Sequence, residues 1–181
     1  EKANARDLAY IESLHLEGQP DRWERIHDSY QAIGRRQNSI APLLPLYIES
    51  EHRDAEFAFV DVVAELIESK KNAAAFLYAN ALQKLNTGNR YDARDAYYEL
   101  SRIKELYSNY KDTDRYMAEA LAAGKAYVSF GVDNRSNVTM SRALSDALAD
   151  VEPVVTSGMW YQFTSQPPFD LSVTLRINKL F

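Results

Sequence analysis

The sequence predicts a mainly helical protein whose helices pair as antiparallel hairpins, with a small β element at the C-terminal end (α+β). Two observations predict this fold class. Apolar residues recur at the three- and four-residue spacing of amphipathic helices over most of residues 3–123. From Lys125 onward the spacing changes to alternation, which is typical of a half-buried strand. We therefore expect a helical domain over residues 1–124 and the start of an α+β region over residues 125–181.

Composition limits the classes of function. With 181 residues, the chain is long enough to bury a substantial core. The net charge of −5 and the lack of a basic block argue against a nucleic-acid partner, because binding to phosphates needs a concentrated basic surface. Cysteine is absent from the sequence, which excludes disulfides, thiolate catalysis and cysteine-bound zinc. No apolar run approaches the ~20 residues that span a bilayer.

Two amphipathic helices are expected first, over residues 3–17 and 21–37. Between them, Gly18 ends one helix and Pro20 starts the next, since glycine favours helix ends and proline suits a first turn. The two helices are expected to form an antiparallel hairpin that caps the helical domain. The residues expected on their buried faces are Leu8, Ile11, Leu14, His15, Trp23, Ile26, Tyr30 and Ile33.

Residues 38–53 interrupt the helical pattern. Pro42 and Pro45 each lack an amide donor and restrict the residue before them, which prevents a continuous helix. The leucines of this segment are too apolar for a free linker, so we expect the segment to pack against the core. From Asp54 the helical spacing resumes and continues through Lys70 into a long helix.

The helical domain is organised around a hairpin with its turn at Gly88. Small and large residues alternate at helical spacing on both sides of this turn, which lets two antiparallel helices approach closely. The second helix of the hairpin is expected over residues 91–110. A further helix over residues 114–123 is expected to end at Gly124 as a C-cap glycine.

Alternation predicts a strand over residues 126–132 and a second strand over residues 171–177, paired with the first. Two strands are not stable alone in water, so they pack on the helices or belong to a larger sheet. We therefore expect the chain to be a fragment whose sheet continues beyond Phe181. Between the strands we expect a short helix over residues 139–149, with Leu144 and Leu148 inward, and extended segments over residues 151–163 around Trp160.

The hairpin resembles the tetratricopeptide repeat, a helix-turn-helix unit of about 34 residues whose copies stack to bury a shared core. Ala81 occupies the small position of the first helix, and Gly88 occupies the turn. Ala93, Tyr97 and Leu100 occupy the small, aromatic and closing positions of the second helix. The resemblance implies a single repeat rather than a tandem array.

A wider resemblance covers most of the chain. It is carried by the segments at residues 40–46, 92–97, 110–112, 119–124 and 169–177. These segments are similar to those of uncharacterised bacterial surface or periplasmic lipoproteins with a tetratricopeptide-like front half. The resemblance implies location in the periplasm or at the cell surface, with membrane attachment only through a lipid anchor absent from this chain. It implies no activity, cofactor or catalytic residue.

Catalytic and metal-binding patterns are weak. His52 lies among acidic residues, but a zinc-binding helix needs two histidines on one face, and the three histidines lack that spacing. Carboxylates three residues apart on the predicted helices are typical of solvated faces and not of a glycosidase pair held across a cleft. No nucleophile elbow, phosphate-binding loop or dinucleotide motif occurs. We expect no enzyme activity, cofactor or metal.

The expected function is non-catalytic protein–protein interaction or scaffolding at the bacterial cell envelope. The partner would be another envelope protein or a peptide segment, bound along a groove between stacked helices. Inward tyrosines are expected to fill the core, whereas outward ones such as Tyr98 and Tyr116 would anchor a partner. The alternative is a helical accessory part of a larger carbohydrate-linked or hydrolytic surface protein whose active region lies beyond Phe181. The candidate groove residues are Asn80, Arg94, Tyr98 and Lys104.

Overall fold

The chain forms a mainly helical protein with a small sheet, which confirms the predicted fold class at this level. The structure is a computed structural model that describes residues 2–19, 21–149, 158–164 and 166–179. The chain divides into two compact units. The first comprises Glu1–Ala81 and Glu99–Thr113, and the second comprises Leu82–Tyr98 and Asp114–Phe181. The expected boundary after residue 124 stays a prediction.

The first unit begins with the predicted pair of helices, α1 (Lys2–Glu17) and α2 (Arg22–Ile40). Gly18 follows α1 with a φ of +67°, a conformation that glycine adopts without strain and that ends a helix. Arg36 on α2 donates hydrogen bonds to Asn4 and Asp7 on α1, which fixes the two helices side by side. The buried residues of this core are Ile11, Leu14, Ile26, Tyr30, Ile33 and Val62. His15, expected on the buried face, is exposed.

The segment that follows α2 is exposed, so the expectation that it packs against the core is wrong. A 3-10 helix (Ala41–Leu43) leads into two short antiparallel strands, β1 (Tyr47–Ile48) and β2 (Arg53–Asp54). Leu43 and Leu46 are 60% and 40% exposed. Apolar composition alone was therefore a poor guide to burial here.

The long helix α3 (Val63–Asn86) begins nine residues later than the helix predicted from Asp54. The cause lies in the side chain of Gln37. Its amide oxygen accepts from the Val60 N–H at 2.7 Å and its amide nitrogen donates to the Val60 carbonyl at 2.8 Å. These backbone groups are therefore not available to a helix. The helix starts instead where the Asp61 carboxylate accepts from the Val63 N–H at 3.0 Å, in the manner of an N-terminal cap.

Helix α3 and helix α4 (Arg90–Leu106) are joined by a short turn in which Gly88 has a φ of +69°. The Asn89 side chain caps α4 by accepting from the Tyr91 N–H at 2.8 Å. Two side-chain contacts join the helices. In the first unit, the Asn80 amide nitrogen donates a hydrogen bond to the Glu99 carboxylate at 2.6 Å. In the second, Lys84 Nζ lies 3.7 Å from the Asp95 carboxylate. Their order along the chain shows that the helices are antiparallel. The tetratricopeptide-like geometry of this hairpin stays a prediction.

The second unit contains a parallel sheet. After α5 (Thr113–Gly124), the chain forms β3 (Ala126–Asn134), α6 (Arg142–Ala149), β4 (Tyr161–Phe163) and β5 (Leu171–Ile177). The strand order is β4-β3-β5, and both outer strands run parallel to β3. The two predicted strands and their pairing are confirmed. Leu144, expected inward on α6, is 42% exposed. Of the extended segments expected over residues 151–163, residues 151–157 lie outside the described residues.

Replacement of Gly88 tests the turn between α3 and α4. In Gly88→Ala, we predict that the free energy of unfolding falls by about 1–2 kcal/mol, because a residue with a Cβ is strained at positive φ. The added methyl group would meet no atom within 4 Å, so the loss would be conformational rather than a clash. Urea denaturation would measure it. The matched control is Gly131→Ala, which also adds a methyl group in open space but at an ordinary φ. Equal stability of the two variants would contradict the prediction.

Candidate functional site

A polar groove lies between α2 and α4 of the first unit. It is an open depression of about 500 Å³. Most of its lining side chains are charged or carry an amide, so the groove can form hydrogen bonds and ion pairs with a polar ligand. The lining residues are His27, Asp28, Gln31, Arg35, Arg102, Glu105 and Leu106.

Arg102 on α4 holds the two walls of this groove together. Its Nε donates to Glu24 at 2.9 Å and its Nη2 lies 3.3 Å from Asp28, both on α2. Its Nη1 donates to Glu105 on α4. The hydrogen bonds to Glu24 and then Glu105 raise the pKa of Arg102 above its ordinary value. The guanidinium is therefore a permanent cation in a fixed orientation, surrounded by three carboxylates.

His27 lies buried at the base of the groove, and both of its ring nitrogens are hydrogen bonded. The Ser69 hydroxyl donates to the Glu65 carbonyl at 2.6 Å, so it accepts from His27 Nδ1, which lies 3.1 Å away. His27 Nε2 then accepts from the Gln31 amide nitrogen at 2.9 Å. Burial lowers the pKa of His27, which favours the neutral ring. The Ser69 hydroxyl hydrogen points to a backbone carbonyl, so this pair is not arranged as a nucleophile and its base.

Two of the predicted groove residues, Arg94 and Tyr98, come together in the second unit around Trp160. Arg94 Nε donates to the Gly124 carbonyl at 2.8 Å, and its guanidinium carbon lies 5.4 Å from the centre of the Trp160 ring. Trp160 Nε1 donates to the Tyr98 hydroxyl at 3.0 Å. Tyr98 is 56% exposed, whereas Tyr116 is half-buried. Arg94 and Tyr98 thus hold Trp160, the residue before β4, against α4 and the end of α5.

Gly124 makes room for this cluster and is not the C-cap glycine that the sequence suggested. It is the last residue of α5, and its φ lies outside the positive range found at Gly18 and Gly88. A Cβ on Gly124 would lie 2.5 Å from a ring carbon of Trp160 and 3.0 Å from Arg94. Close approach of an aromatic ring, and not backbone conformation, therefore requires glycine here.

The other two predicted groove residues, Asn80 and Lys104, belong to the first unit. Asn80 is bound to Glu99, and Lys104 is exposed on α4. Neither lines the polar groove. The sequence interpretation missed the α2 wall of the groove, although a signal was present: Asp28, Gln31 and Arg35 are spaced by three and four residues, which places polar side chains on one face of a helix.

No protein-family model, characterised protein or solved structure matches this chain. Resemblance to tetratricopeptide repeats and to envelope lipoproteins therefore stays a prediction. In the part of the chain that the structure describes, no helix is long and apolar enough to cross a membrane. Among the same residues, no group of three or more histidine, aspartate or glutamate side chains is placed to hold a metal ion.

The buried His27 predicts a pH-dependent stability. Because the folded pKa lies below the unfolded value of about 6.5, the unfolded chain binds the proton more readily. The stability that neutral His27 contributes is fully present above the unfolded pKa. It is lost as the pH falls from the unfolded pKa toward the folded pKa. We predict that His27→Gln flattens the slope of stability between pH 7 and pH 5, measured by urea denaturation at each pH. The matched variant Ile33→Val, which weakens the same unit's core but carries no titratable group, should keep the wild-type slope. Identical slopes for wild type and His27→Gln would refute the prediction.

A methyl group at Gly124 tests the packing of Trp160. We predict that Gly124→Ala lowers the free energy of unfolding by about 1–3 kcal/mol, the usual cost of overpacking. In the Trp160→Ala background, Gly124→Ala should lower the free energy of unfolding by much less, because the indole ring that the added methyl group would meet is absent. A double-mutant cycle by chemical denaturation measures this coupling. Additive losses in the two variants would show that Trp160 is not what excludes a side chain at position 124.

Proposed function

We propose that the protein is a non-catalytic interaction module that binds an acidic segment of another protein in the groove between α2 and α4. The observation that carries the proposal is the groove itself. Its volume of about 500 Å³ suits a few side chains of a docked segment, and its lining is polar and charged. Binding would depend on shape and charge complementarity and would involve no chemical step.

One cation of the groove, Arg35, favours a carboxylate of the partner. The other, Arg102, is shared by Glu24, Asp28 and Glu105 and offsets one of these three negative charges. Arg35, in contrast, has one hydrogen bond between side chains among the described residues, from Nη1 to Gln31 at 3.3 Å. A guanidinium carries five N–H donors and binds carboxylates through two parallel hydrogen bonds. Arg35 is therefore the side chain in the groove best suited to receive a carboxylate from a partner.

The hydrogen bonding of His27 supports binding over catalysis. A general base needs a ring nitrogen within reach of a substrate proton. Both nitrogens of His27 are already bonded, one to Ser69 and one to Gln31. The groove therefore offers fixed charges for recognition but no activated nucleophile or base among these side chains.

The proposal includes two finer points that rest on resemblance. The antiparallel hairpin of α3 and α4 is taken as a single tetratricopeptide-like repeat, supported by small residues at Ala81 and Ala93 that are buried. The proposed location is the periplasm or the cell surface, as the predicted resemblance to envelope lipoproteins implies. The partner would then be another envelope protein.

A charge reversal on α2 tests the groove. The immobilised protein would be used to capture partners from an envelope extract of the source organism. We predict that Arg35→Glu reduces capture of the specific partner at least tenfold, because it places a carboxylate against an acidic segment. The matched control is Arg25→Glu, an exposed arginine on the same helix that pairs with Asp21 and does not line the groove. Equal capture by both variants, with the fold intact by circular dichroism, would overturn the proposed site.

A further inference from the structure

Strand β5 forms one edge of the parallel sheet in the second unit. Among the described strands it contacts β3 on one side and no strand on the other. Six of its seven residues are exposed, on both faces of the sheet, and only Ile177 is half-buried. Leu171, Val173 and Leu175 are 49%, 45% and 41% exposed and lie on one face. The strand therefore presents an apolar row and an open backbone edge to solvent.

This edge lacks the features that usually prevent strand pairing. Proteins protect edge strands with proline, lysine, bulges or very short strands. Strand β5 contains neither proline nor lysine, and it pairs with β3 in unbroken register from Leu171 to Ile177. Its one charge, Arg176, lies 3.2 Å from Asp133 on the neighbouring strand. The opposite edge, β4, is only three residues long. The geometry favours β5 as a pairing edge.

We propose that two copies of the chain associate through antiparallel pairing of β5 with β5, centred on Val173, so that two three-stranded sheets become one. In this register Val173 lies opposite Val173 of the second copy. Leu171 lies opposite Leu175, and Ser172 lies opposite Thr174. Just before the strand, Asp170 lies opposite Arg176.

Side-chain complementarity selects this register. Residues directly opposite each other in an antiparallel pair share a face, so the leucines and valines form one apolar surface across the joint. On the other face, Asp170 of each copy lies opposite Arg176 of the other copy. These are the one anionic and the one cationic residue of the paired segment. A shift of one residue would place Leu171 opposite Arg176 and put the two apolar rows on opposite sides of the joined sheet. A shift of two residues would leave both apolar rows on the same face of the joined sheet, but Asp170 would no longer lie opposite Arg176.

The charges at the ends of the joint already have partners within the same chain. Asp170 accepts from the Tyr127 backbone N–H at 2.8 Å and from Arg90, and these bonds keep the pKa of its carboxyl below the ordinary value. Arg176 is similarly held beside Asp133. In the paired state, Asp170 and Arg176 of the two copies would join these ion pairs into an alternating row of charges.

Because the sequence contains no cysteine, single cysteines test the register directly. Val173→Cys places two thiols opposite each other at the symmetry axis, where Cα atoms about 4.5–5.5 Å apart are within disulfide reach. We expect rapid formation of a covalent dimer on mild oxidation. Leu171→Cys and Leu175→Cys should each cross-link poorly alone but efficiently when mixed, because each lies opposite the other. Equal cross-linking of all single variants, or none for Val173→Cys, would overturn the proposal.

Analytical ultracentrifugation tests association without a cross-link. We expect a concentration-dependent dimer for the wild type and a monomer for Val173→Lys, which introduces a charge at the joint. Leu43→Lys, the same kind of change at an exposed leucine of the first unit, should remain dimeric. Arg35→Glu should also remain dimeric, which separates this inference from the groove. A wild type that is monomeric throughout, an open-ended series of oligomers, or a dimer that survives Val173→Lys would each contradict pairing through β5.

Discussion

The polar groove of the first unit depends on one guanidinium. Arg102 projects from α4 and reaches Glu24 and Asp28 on α2, while Glu105 completes the set of carboxylates around it. Each of these ion pairs is partly exposed, so each contributes about 0.2–1 kcal/mol to stability. They join α2 to α4 at the polar groove, which is lined by Arg102, Asp28 and Glu105.

The second unit depends on close packing instead of charge. Trp160 lies against the last turn of α5 because Gly124 has no side chain, and the carbonyl of that glycine binds Arg94. Contacts of this kind position β4, which pairs with β3, and β3 in turn carries β5. The result is a small sheet with one long, exposed edge. The two units therefore offer different surfaces: a polar groove that suits a charged segment, and a strand edge that suits backbone hydrogen bonding.

The sequence predicted those parts of the fold that follow from local periodicity. Helices α1 to α5 and strands β3 and β5 have clear apolar spacing, and glycines at positive φ mark the turns at Gly18 and Gly88. It failed where a distant side chain decides the local structure. Gln37 binds both backbone groups of Val60, and Trp160 requires the glycine at position 124. The same limit applies to the site. Arg94 and Tyr98 were chosen as outward residues of a helix, but their aromatic partner is Trp160, far along the chain. The polar groove depends on Arg102 meeting acidic residues on α2, and such pairing between distant segments leaves no pattern in a single sequence.

The central claim is that the groove between α2 and α4 is a surface for a protein partner. A photo-reactive amino acid at position 31, inside the groove, tests this most directly. Position 12, an exposed site on α1, is the matched control. Irradiation in intact cells of the source organism, followed by mass spectrometry, would identify what lies within a few ångströms of each position. The account predicts a specific cross-linked protein at position 31, through an acidic segment, and none of it at position 12. Cross-links to the same protein at both positions, or at position 12 alone, would contradict it.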